Sequence, residues 1–195
     1  NQPNVDLVSM LETPIERITP TGIKTSGAEY EFDIIIYATG FDAVTGSFDR
    51  IDITGADDRK LRQAWQGGPT SFVGVMVQGF PNMFMVMGPH AVLGNNPRSI
   101  EYNVEWIQGL IGFMSGRELT EADAKPEAVD AWTGFVKQKA EGLLSNEIDS
   151  WMTGVNMNVA GKQTRTLVRY SGTAPEYRAW CDKVADQGYQ ELTLS

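Results

Sequence analysis

Three small residues, Ala38-Thr39-Gly40, directly follow a run of bulky β-forming residues, and their types suit a close contact between main chain and ligand. Ala38 and Gly40 remove side-chain bulk, so the ribose or diphosphate of a dinucleotide could lie against the backbone. Thr39 adds a hydroxyl that can donate a hydrogen bond. The alternative is a strand that simply ends in a turn, with Gly40 at a positive φ. The apolar run before the motif and the Phe41-Asp42 pair after it favour the contact with a ligand.

A second pair of small or rigid residues, Gly88-Pro89, ends another apolar run and is followed by His90, the single histidine of the chain. A lone histidine is usually a surface residue or a structural hydrogen-bond partner. A contact with a ligand is the alternative for His90, because a helix is predicted to begin close to it.

That helix is amphipathic, and its apolar residues recur at intervals of four and three. The stripe predicted to face the core is Ile100, Val104, Ile107, Ile111 and Met114. Asn96 is the predicted N-cap and Pro97 the first helical residue. The first-turn amides lack intrahelical partners and would favour an electron-rich ligand atom near the loop that starts at Gly88. Asn95 and Asn96 are simple caps in the alternative interpretation, and a cap can also contact a ligand.

Trp151 lies in a stretch rich in Gly, Asn and Thr that is predicted to be a loop. A partly exposed indole on such a loop could serve as an apolar plate for a cofactor or substrate, and the alternative is an anchor in the core. Lys162 and Arg165 follow on the same loop. They are either solvated charges or groups that attract a nucleotide phosphate.

The elements that would position these residues indicate a mixed α/β fold with buried strands flanked by helices. Strands are predicted at residues 31–37, 71–78 and 83–87, whose lack of polar alternation indicates burial on both faces. Ligands of open α/β sheets bind at the carboxyl ends of strands, which is where Gly40 and Gly88 fall. The other predicted elements are a hairpin at residues 23–31, helices from residue 127 and at 175–188, and short strands at 166–172 and 189–195.

Composition and charge exclude several classes of function. The chain has 195 residues and a formal charge of −9, with no Lys/Arg cluster longer than two neighbours, so no nucleic-acid partner is predicted. Runs of about 18 apolar residues are absent, as is a signal peptide, so no membrane partner is predicted. One histidine and one cysteine are poor material for a metal site. Cys181 fits a small buried residue in a reducing compartment, which favours the cytoplasm.

The glycine fingerprint of dinucleotide-binding folds, GxGxxG, is absent, because no two glycines of the chain are two residues apart. Either the chain does not bind a dinucleotide, or it is part of a longer protein that does. The first residue is not Met, which favours a fragment.

Four segments, taken in order, resemble a known family. They are EYEFDIIIYATGFDAVTGSFDRIDI, GFPNMFMVMGPH, PRSIEYNVEWI and SWMTGVN. The set closely resembles the C-terminal part of the Baeyer–Villiger monooxygenases, which are class B flavoprotein monooxygenases, and the likeness covers nearly the whole chain. That family binds FAD, uses NADPH and dioxygen, and converts a ketone into an ester or lactone. The resemblance therefore implies FAD and NADP as cofactors of a complete enzyme, neither of them held tightly by this chain alone.

The resemblance also implies roles for residues of this chain. The Ala38-Thr39-Gly40 motif would return the chain from the nicotinamide domain to the flavin domain and touch FAD. The loop at residues 88–96 would line the flavin ring, with the amide of Asn96 near its pyrimidine edge. Trp151 would lie on a mobile loop that folds over NADPH and shapes the substrate pocket. The cofactor-binding residues so predicted are Ala38, Thr39, Gly40, Phe41, Asp42, Gly88, Pro89, His90, Asn95, Asn96 and Trp151.

Three regions follow from the same resemblance: a hairpin-like return segment at 1–30, the C-terminal part of an FAD-binding domain at 31–149, and a mobile loop with a terminal strand, helix and strand at 150–195. The family's nucleotide fingerprints, signature segment and active-site Arg with its Asp partner lie upstream of the resemblance, so no catalytic residue is predicted here. Two local departures, GPHAVLGNNP in place of a Ser-rich loop and a longer VNMNVAGK turn, are expected to alter the substrate pocket and the loop geometry.

Three functional hypotheses remain at this point. The first is the C-terminal part of a Baeyer–Villiger monooxygenase for a hydrophobic ketone, inactive without its N-terminal half. The second is a related flavin enzyme that oxygenates amines or sulfides, and the third is an interaction module that is indifferent to FAD. Under the first hypothesis the predicted strands at 34–37 and 83–87 lose their neighbours, so the chain is expected to self-associate through apolar edges.

Overall fold

The computed structural model describes residues 2–195 and divides into two compact units. The first unit ends at Gly40, and the second is Phe41–Ser195. This division differs from the regions expected from the resemblance, because residues 31–40 group with the N-terminal hairpin. Residues 150–195 belong to the same unit as residues 41–149.

The first unit contains a three-stranded antiparallel sheet in the order β1-β2-β3, formed by Ile15–Thr19, Gly22–Thr25 and Glu29–Glu31. Pro20 and Thr21 make the turn between β1 and β2, since Thr19 pairs with Gly22. The second turn is stabilised by the hydroxyl of Thr25, which donates to the carbonyl of Ala28 at 3.1 Å and accepts from its amide at 3.1 Å. The predicted hairpin is therefore confirmed.

The predicted buried strand at residues 31–37 is wrong. β3 ends at Glu31, no strand is assigned over residues 32–40, and Ile34, Ile36 and Tyr37 are 79%, 84% and 69% exposed. A strand buried on both faces needs hydrogen-bonded neighbours and apolar layers, and an apolar sequence cannot supply them by itself. Among residues 2–195 the last ladder-like contact of this run is the amide of Phe32 with the carbonyl of Thr21, at 2.9 Å.

The second unit is built from four α-helices and one small sheet. The helices are α1 (Leu61–Ala64), α2 (Asn96–Ser115), α3 (Pro126–Ala140) and α4 (Ala174–Asp186). Strand β4 (Ala122–Ala124) pairs antiparallel with β5 (Leu192–Leu194). Short 3₁₀ turns occur at Phe48–Arg50, Ala56–Asp58, Leu144–Asn146 and Trp151–Thr153. The helices predicted from residue 127 and at 175–188 are thus confirmed as α3 and α4. None of the helices within residues 2–195 is both long and apolar enough to cross a bilayer.

The core of the second unit lies between α2, α3 and α4 and is rich in aromatic rings. Trp132 of α3 is completely buried and contacts Tyr170, Tyr177 and Trp180, with ring centroids 5.3–5.8 Å apart. Such ring pairs stabilise beyond the area they bury. One polar ring atom in this region is paired: the indole nitrogen of Trp106 donates to the carbonyl of Cys181 at 3.0 Å.

Helix α2 has the predicted position but buries a different face. Its buried residues are Asn103, Trp106, Leu110 and Met114. Three residues of the predicted stripe, Ile100, Val104 and Ile111, are 44%, 48% and 51% exposed. Met114 of the predicted stripe is buried, but the stripe was wrong at these three positions because the periodicity counted only apolar residues. The core accepts Asn103 through hydrogen bonds and Trp106 through ring packing.

Residues 71–78 and 83–87 do not form the predicted strands, although residues 71–77 are buried. Val73 and Gly74 have positive φ values of 46° and 72°, which bend the first segment into a tight turn. A regular strand cannot contain such residues. Isolated bridges of Met76 with Phe72 and Phe84 hold the two segments together. Residues 166–172 likewise form only a bridge, between Val92 and Tyr170, while the C-terminal strand is confirmed in the shorter form of β5.

Candidate functional site

The turn at Gly88 is shaped by contact with its own protein. The amide of Gly88 donates to the carbonyl of Gly74 at 3.0 Å, and a Cβ on Gly88 would lie 2.7 Å from that oxygen. The absence of a side chain at Gly88 is therefore required by backbone packing. Pro89 is tied to the same turn, because the hydroxyl of Ser71 donates to its carbonyl at 2.5 Å.

His90 is buried, with 1% of its surface exposed, and joins the turn to residues 167–168. Its amide donates to the carbonyl of Val168 at 3.1 Å, and its Nε2 lies 2.9 Å from the carbonyl of Leu167. Burial lowers the pKa of the imidazole, so the ring is neutral at pH 7 with its proton on Nε2. Nδ1 is left as an acceptor without a partner among residues 2–195. The geometry matches the structural interpretation of this histidine.

The start of α2 is capped one residue earlier than predicted. Asn95 is the N-cap, and its side-chain oxygen accepts from the amide of Arg98 at 3.3 Å, while Asn96 begins the helix and Pro97 follows. Residues 94–98 are exposed. The loop at 88–96 therefore has a buried, anchored first half and an exposed second half that ends at the positive pole of a 20-residue helix.

A buried hydrogen-bonded chain that sequence reasoning missed holds this loop to two helices. The amide of Met87 donates to Oδ1 of Asn103 at 3.0 Å, and Nδ2 of Asn103 donates to the hydroxyl of Tyr177 at 2.9 Å. That hydroxyl donates to the carbonyl of Val73 at 2.6 Å. The partners are up to 104 residues apart in sequence, so only a polar residue inside an amphipathic pattern could have signalled them.

The residues Ala38, Thr39 and Gly40 end the first unit in irregular, exposed chain. Gly40 has a φ of 77°, and among the described residues no atom lies within 4 Å of where its Cβ would be. The positive φ matches the turn interpretation. Unlike Gly88, Gly40 has open space beside it, which leaves room for a ligand against the backbone.

Asp42, a predicted cofactor contact, is held by Lys162. The ammonium of Lys162 lies 2.7 and 2.9 Å from the two carboxylate oxygens of Asp42, 2.7 Å from Asp49 and 2.8 Å from the hydroxyl of Thr45. We call these four residues the Lys162 cluster. Burial would lower the pKa of Lys162, but the hydrogen bonds with Asp42 and Asp49 outweigh this effect and raise it. Phe41 beside the cluster is 92% exposed.

Trp151 stands half exposed, at 52%, in a 3₁₀ turn. A capping box fixes this turn: the amide of Met152 donates to the hydroxyl of Ser150, and the amide of Ser150 donates to the hydroxyl of Thr153. Gly154 then takes a left-handed conformation with φ 71°. Trp151 is therefore not an anchor of the core, and its indole is presented on a locally rigid turn.

A cavity of about 450 Å³ lies between the loop that carries Trp151 and the segment after α1. Its walls include Trp65, Gly67, Gly68, Asp49, Lys162 and Thr166. This volume suits a small ligand. None of the predicted cofactor-binding residues lines the cavity, although Lys162, considered above as a phosphate contact, does. Nothing in the sequence indicated the cavity itself, because its walls come from residues 43–49, 62–69 and 154–168, which are distant in the chain.

Comparisons with known proteins find relatives of the kind that the sequence motifs resemble. No family model matches the chain. It is 40% identical over its whole length to a phenazine N-monooxygenase of Lysobacter antibioticus and covers 36% of that protein. It is 37% identical, over 98% of its length, to a Baeyer–Villiger monooxygenase of Pseudooceanicola batsensis and covers 35% of it. The chain thus spans about a third of the length of the curated relatives that it matches.

Solved structures agree with these relatives. The whole chain matches the closed crystal structure of cyclohexanone monooxygenase with a TM-score of 0.89 and 38% identity, covering 36% of it. The TM-score is 0.79, with 35% identity and 34% coverage, for the open crystal structure of cyclohexanone monooxygenase. It is 0.81, with 36% identity and 35% coverage, for OTEMO in complex with FAD and NADP. The mixed fold and the resemblance to part of a flavin-dependent monooxygenase are confirmed.

Proposed function

We propose that this chain, which matches about a third of flavin-dependent Baeyer–Villiger monooxygenases, is the C-terminal part of such an enzyme and that the complete enzyme converts a ketone into an ester or lactone with FAD, NADPH and dioxygen. The observation that carries the proposal is the match of the whole chain to part of cyclohexanone monooxygenase, at a TM-score of 0.89. A relative of this similarity with bound FAD and NADP supports the choice of cofactors.

The residues around the start of α2 fit a flavin. The exposed turn at Asn95 and Asn96 offers first-turn amides and the positive end of a helix, which suit the electron-rich pyrimidine edge. When bound, FAD supplies the redox chemistry that activates dioxygen. The chain's own residues bind and orient it: His90 and Asn103 keep the 88–96 loop in place from its buried side.

Trp151 would contact the nicotinamide nucleotide and border the substrate pocket. Its half-exposed indole on a capped turn supports this role, because a rigid aromatic face binds a planar group at low entropic cost. No residue of the chain is assigned an acid, base or nucleophile. The chain alone is therefore expected to give no turnover, and its partner is the remaining two thirds of the enzyme. The buried free thiol of Cys181 supports a cytoplasmic enzyme.

A chimera tests the proposal. The C-terminal third of cyclohexanone monooxygenase is replaced by this chain, and FAD content and ketone-dependent NADPH oxidation are measured beside the isolated chain. We expect a chimera that retains FAD and oxidises NADPH in response to ketone, and an isolated chain that does neither. A folded chimera without FAD would overturn the proposal and favour the interaction module.

N-oxygenation is the second candidate function, favoured by the 40% identity to a phenazine N-monooxygenase. Both reactions need the same cofactors and differ in the atom that receives oxygen. The same chimera, offered a cyclic ketone and a phenazine in parallel, separates them by product mass and retention time. Formation of only the N-oxide would replace the ketone reaction with this one.

A further inference from the structure

The loop at residues 150–166, called here the Trp151 loop, is folded by short-range hydrogen bonds, such as that from the amide of Val159 to the carbonyl of Asn156, and Arg165 near its end pairs with Asp149. Its base closes where the amide of Thr166 donates to the carbonyl of Thr153 at 2.7 Å. Its tip folds where the amide of Asn156 donates to the carbonyl of Lys162 at 2.7 Å. Met157 at the tip is 69% exposed, so apolar burial contributes little to the position of the tip.

The side chain of Lys162 connects this tip to residues 42–49. An ammonium group has three hydrogens, and here it faces three acceptor groups: both oxygens of Asp42 at 2.7 and 2.9 Å, Asp49 at 2.7 Å and Thr45 at 2.8 Å. The side chains of Lys162 and Asp42 are each 18% exposed, and that of Asp49 is 29% exposed. Charged hydrogen bonds that are this shielded from water are stronger than those of an open surface pair.

The cluster also accounts for two carboxylates that would otherwise repel. Asp42 and Asp49 approach one another only through the shared ammonium, in a chain whose formal charge is already −9. Removal of the ammonium therefore does more than delete the hydrogen bonds with Asp42, Asp49 and Thr45, because it leaves two like charges side by side. We expect the protein to relieve this repulsion by moving residues 42–49 away from the loop tip.

We propose that Lys162 is a positioning residue, which fixes the Trp151 loop against residues 42–49 and thereby sets the place of the Trp151 indole. The inference deepens the proposed function and rests on it for the role of Trp151. Phosphate attraction, the earlier interpretation of Lys162, is disfavoured because Asp42, Asp49 and Thr45 occupy its donors.

The first test needs no cofactor and uses the 195-residue chain. Hydrogen–deuterium exchange is followed in peptides covering residues 154–166 for the wild type, Lys162→Met and Lys162→Arg. Lys183→Met is the matched control, because Lys183 is exposed on α4 and makes no ion pair among residues 2–195. We expect exchange at least about tenfold faster in Lys162→Met, the ratio for loss of one charged hydrogen bond. Lys162→Arg and the control should remain near the wild type.

Unchanged exchange in Lys162→Met would overturn the proposal. If that variant does not fold by circular dichroism, Asp49→Asn replaces it. This change keeps the ammonium and Asp42 but weakens the cluster, so a smaller acceleration confined to the same peptides is expected. Equal exchange in Asp49→Asn and the wild type would then count against the cluster.

A second readout asks whether Trp151 itself depends on Lys162. The fluorescence of Trp151 is taken as the difference between a protein and its Trp151→Phe version, and acrylamide quenching of this difference is compared. We expect stronger quenching in Lys162→Met, with recovery in Lys162→Arg. A faster loop with unchanged quenching would refute the positioning role, because Lys162 would then hold only the tip.

The third readout measures the effect of Lys162 on the reaction with NADPH. It also separates a failure of the proposed function from a failure of the role proposed for Lys162. In the chimera with cyclohexanone monooxygenase, Lys162→Met should raise KM for NADPH by about three- to tenfold at unchanged FAD content, and Lys162→Arg should restore it. An inactive chimera would speak against the proposed function, whereas the exchange and quenching results would still decide the role of Lys162. An active chimera with unaltered KM would contradict the role in nucleotide binding.

Discussion

The hydroxyl of Tyr177 offers the sharpest test of how the 88–96 loop is supported. Tyr177→Phe keeps the ring, which is completely buried, and removes only the hydroxyl that joins Asn103 to the carbonyl of Val73. Two neutral hydrogen bonds are lost, and a buried carbonyl and a buried amide hydrogen are left without partners. At roughly 1 kcal/mol for each bond and more for each unpaired group, the free energy of unfolding should fall by about 2–4 kcal/mol.

Tyr170→Phe is the matched control in the same aromatic cluster. The two rings lie 5.9 Å apart, and Tyr170 is 1% exposed, but its hydroxyl has no hydrogen-bond partner among residues 2–195. Loss of an unpaired buried hydroxyl should be neutral or slightly stabilising. The same atom removed from two neighbouring tyrosines is thus expected to give opposite results.

The assay is thermal and urea unfolding at low protein concentration, followed by circular dichroism. For a chain of this length the predicted loss in Tyr177→Phe corresponds to a midpoint lower by roughly 5–15 °C. If Tyr177→Phe costs no more than Tyr170→Phe, the hydrogen-bonded chain from Met87 to Val73 does not support the loop, and the reasoning fails.

Three further predictions follow from single residues. Burial lowers the pKa of His90, so on acidification the unfolded chain takes up this proton before the folded chain does. The free energy of unfolding should therefore be constant above about pH 6.5 and fall below it. Urea midpoints should show a shallower fall in His90→Asn. In thermal unfolding, Gly88→Ala should lower the stability by about 1–3 kcal/mol, because the added Cβ meets the carbonyl of Gly74. Gly134→Ala, at an open position of α3, should raise the stability by about 0.5–1 kcal/mol. The isolated chain should self-associate through exposed residues such as Ile34, and a concentration-independent monomer in sedimentation would contradict this.

Local patterns predicted the local elements of this fold well. The hairpin of β2 and β3 carried its turn residues, and α4 was predicted at 175–188, close to its observed range Ala174–Asp186. Helix α2 was placed to within one residue, but its face was not, because Asn103 is buried through partners 16 and 74 residues away. Hydrophobic periodicity does not detect polar residues at core positions.

The apolar segment at residues 71–77 shows a second limit, because burial does not determine the backbone conformation. Residues 71–77 are as buried as their sequence suggests, yet Val73 and Gly74 at positive φ turn them back on themselves. Gly40 and Gly88 carry the same sequence signal, because each follows an apolar run. In the structure, the neighbours of Gly88 exclude a side chain, whereas those of Gly40 do not. The Lys162 cluster joins positions 120 residues apart and had no local signature.

The decisive experiment is to measure the mass of the product that the chimera with cyclohexanone monooxygenase forms under ¹⁸O₂. We expect a lactone two mass units heavier than that formed in air, with one ketone consumed for each NADPH oxidised. A folded, FAD-containing chimera that oxidises NADPH but returns the ketone unchanged would contradict the claim that this chain forms the flavin-facing third of a Baeyer–Villiger monooxygenase.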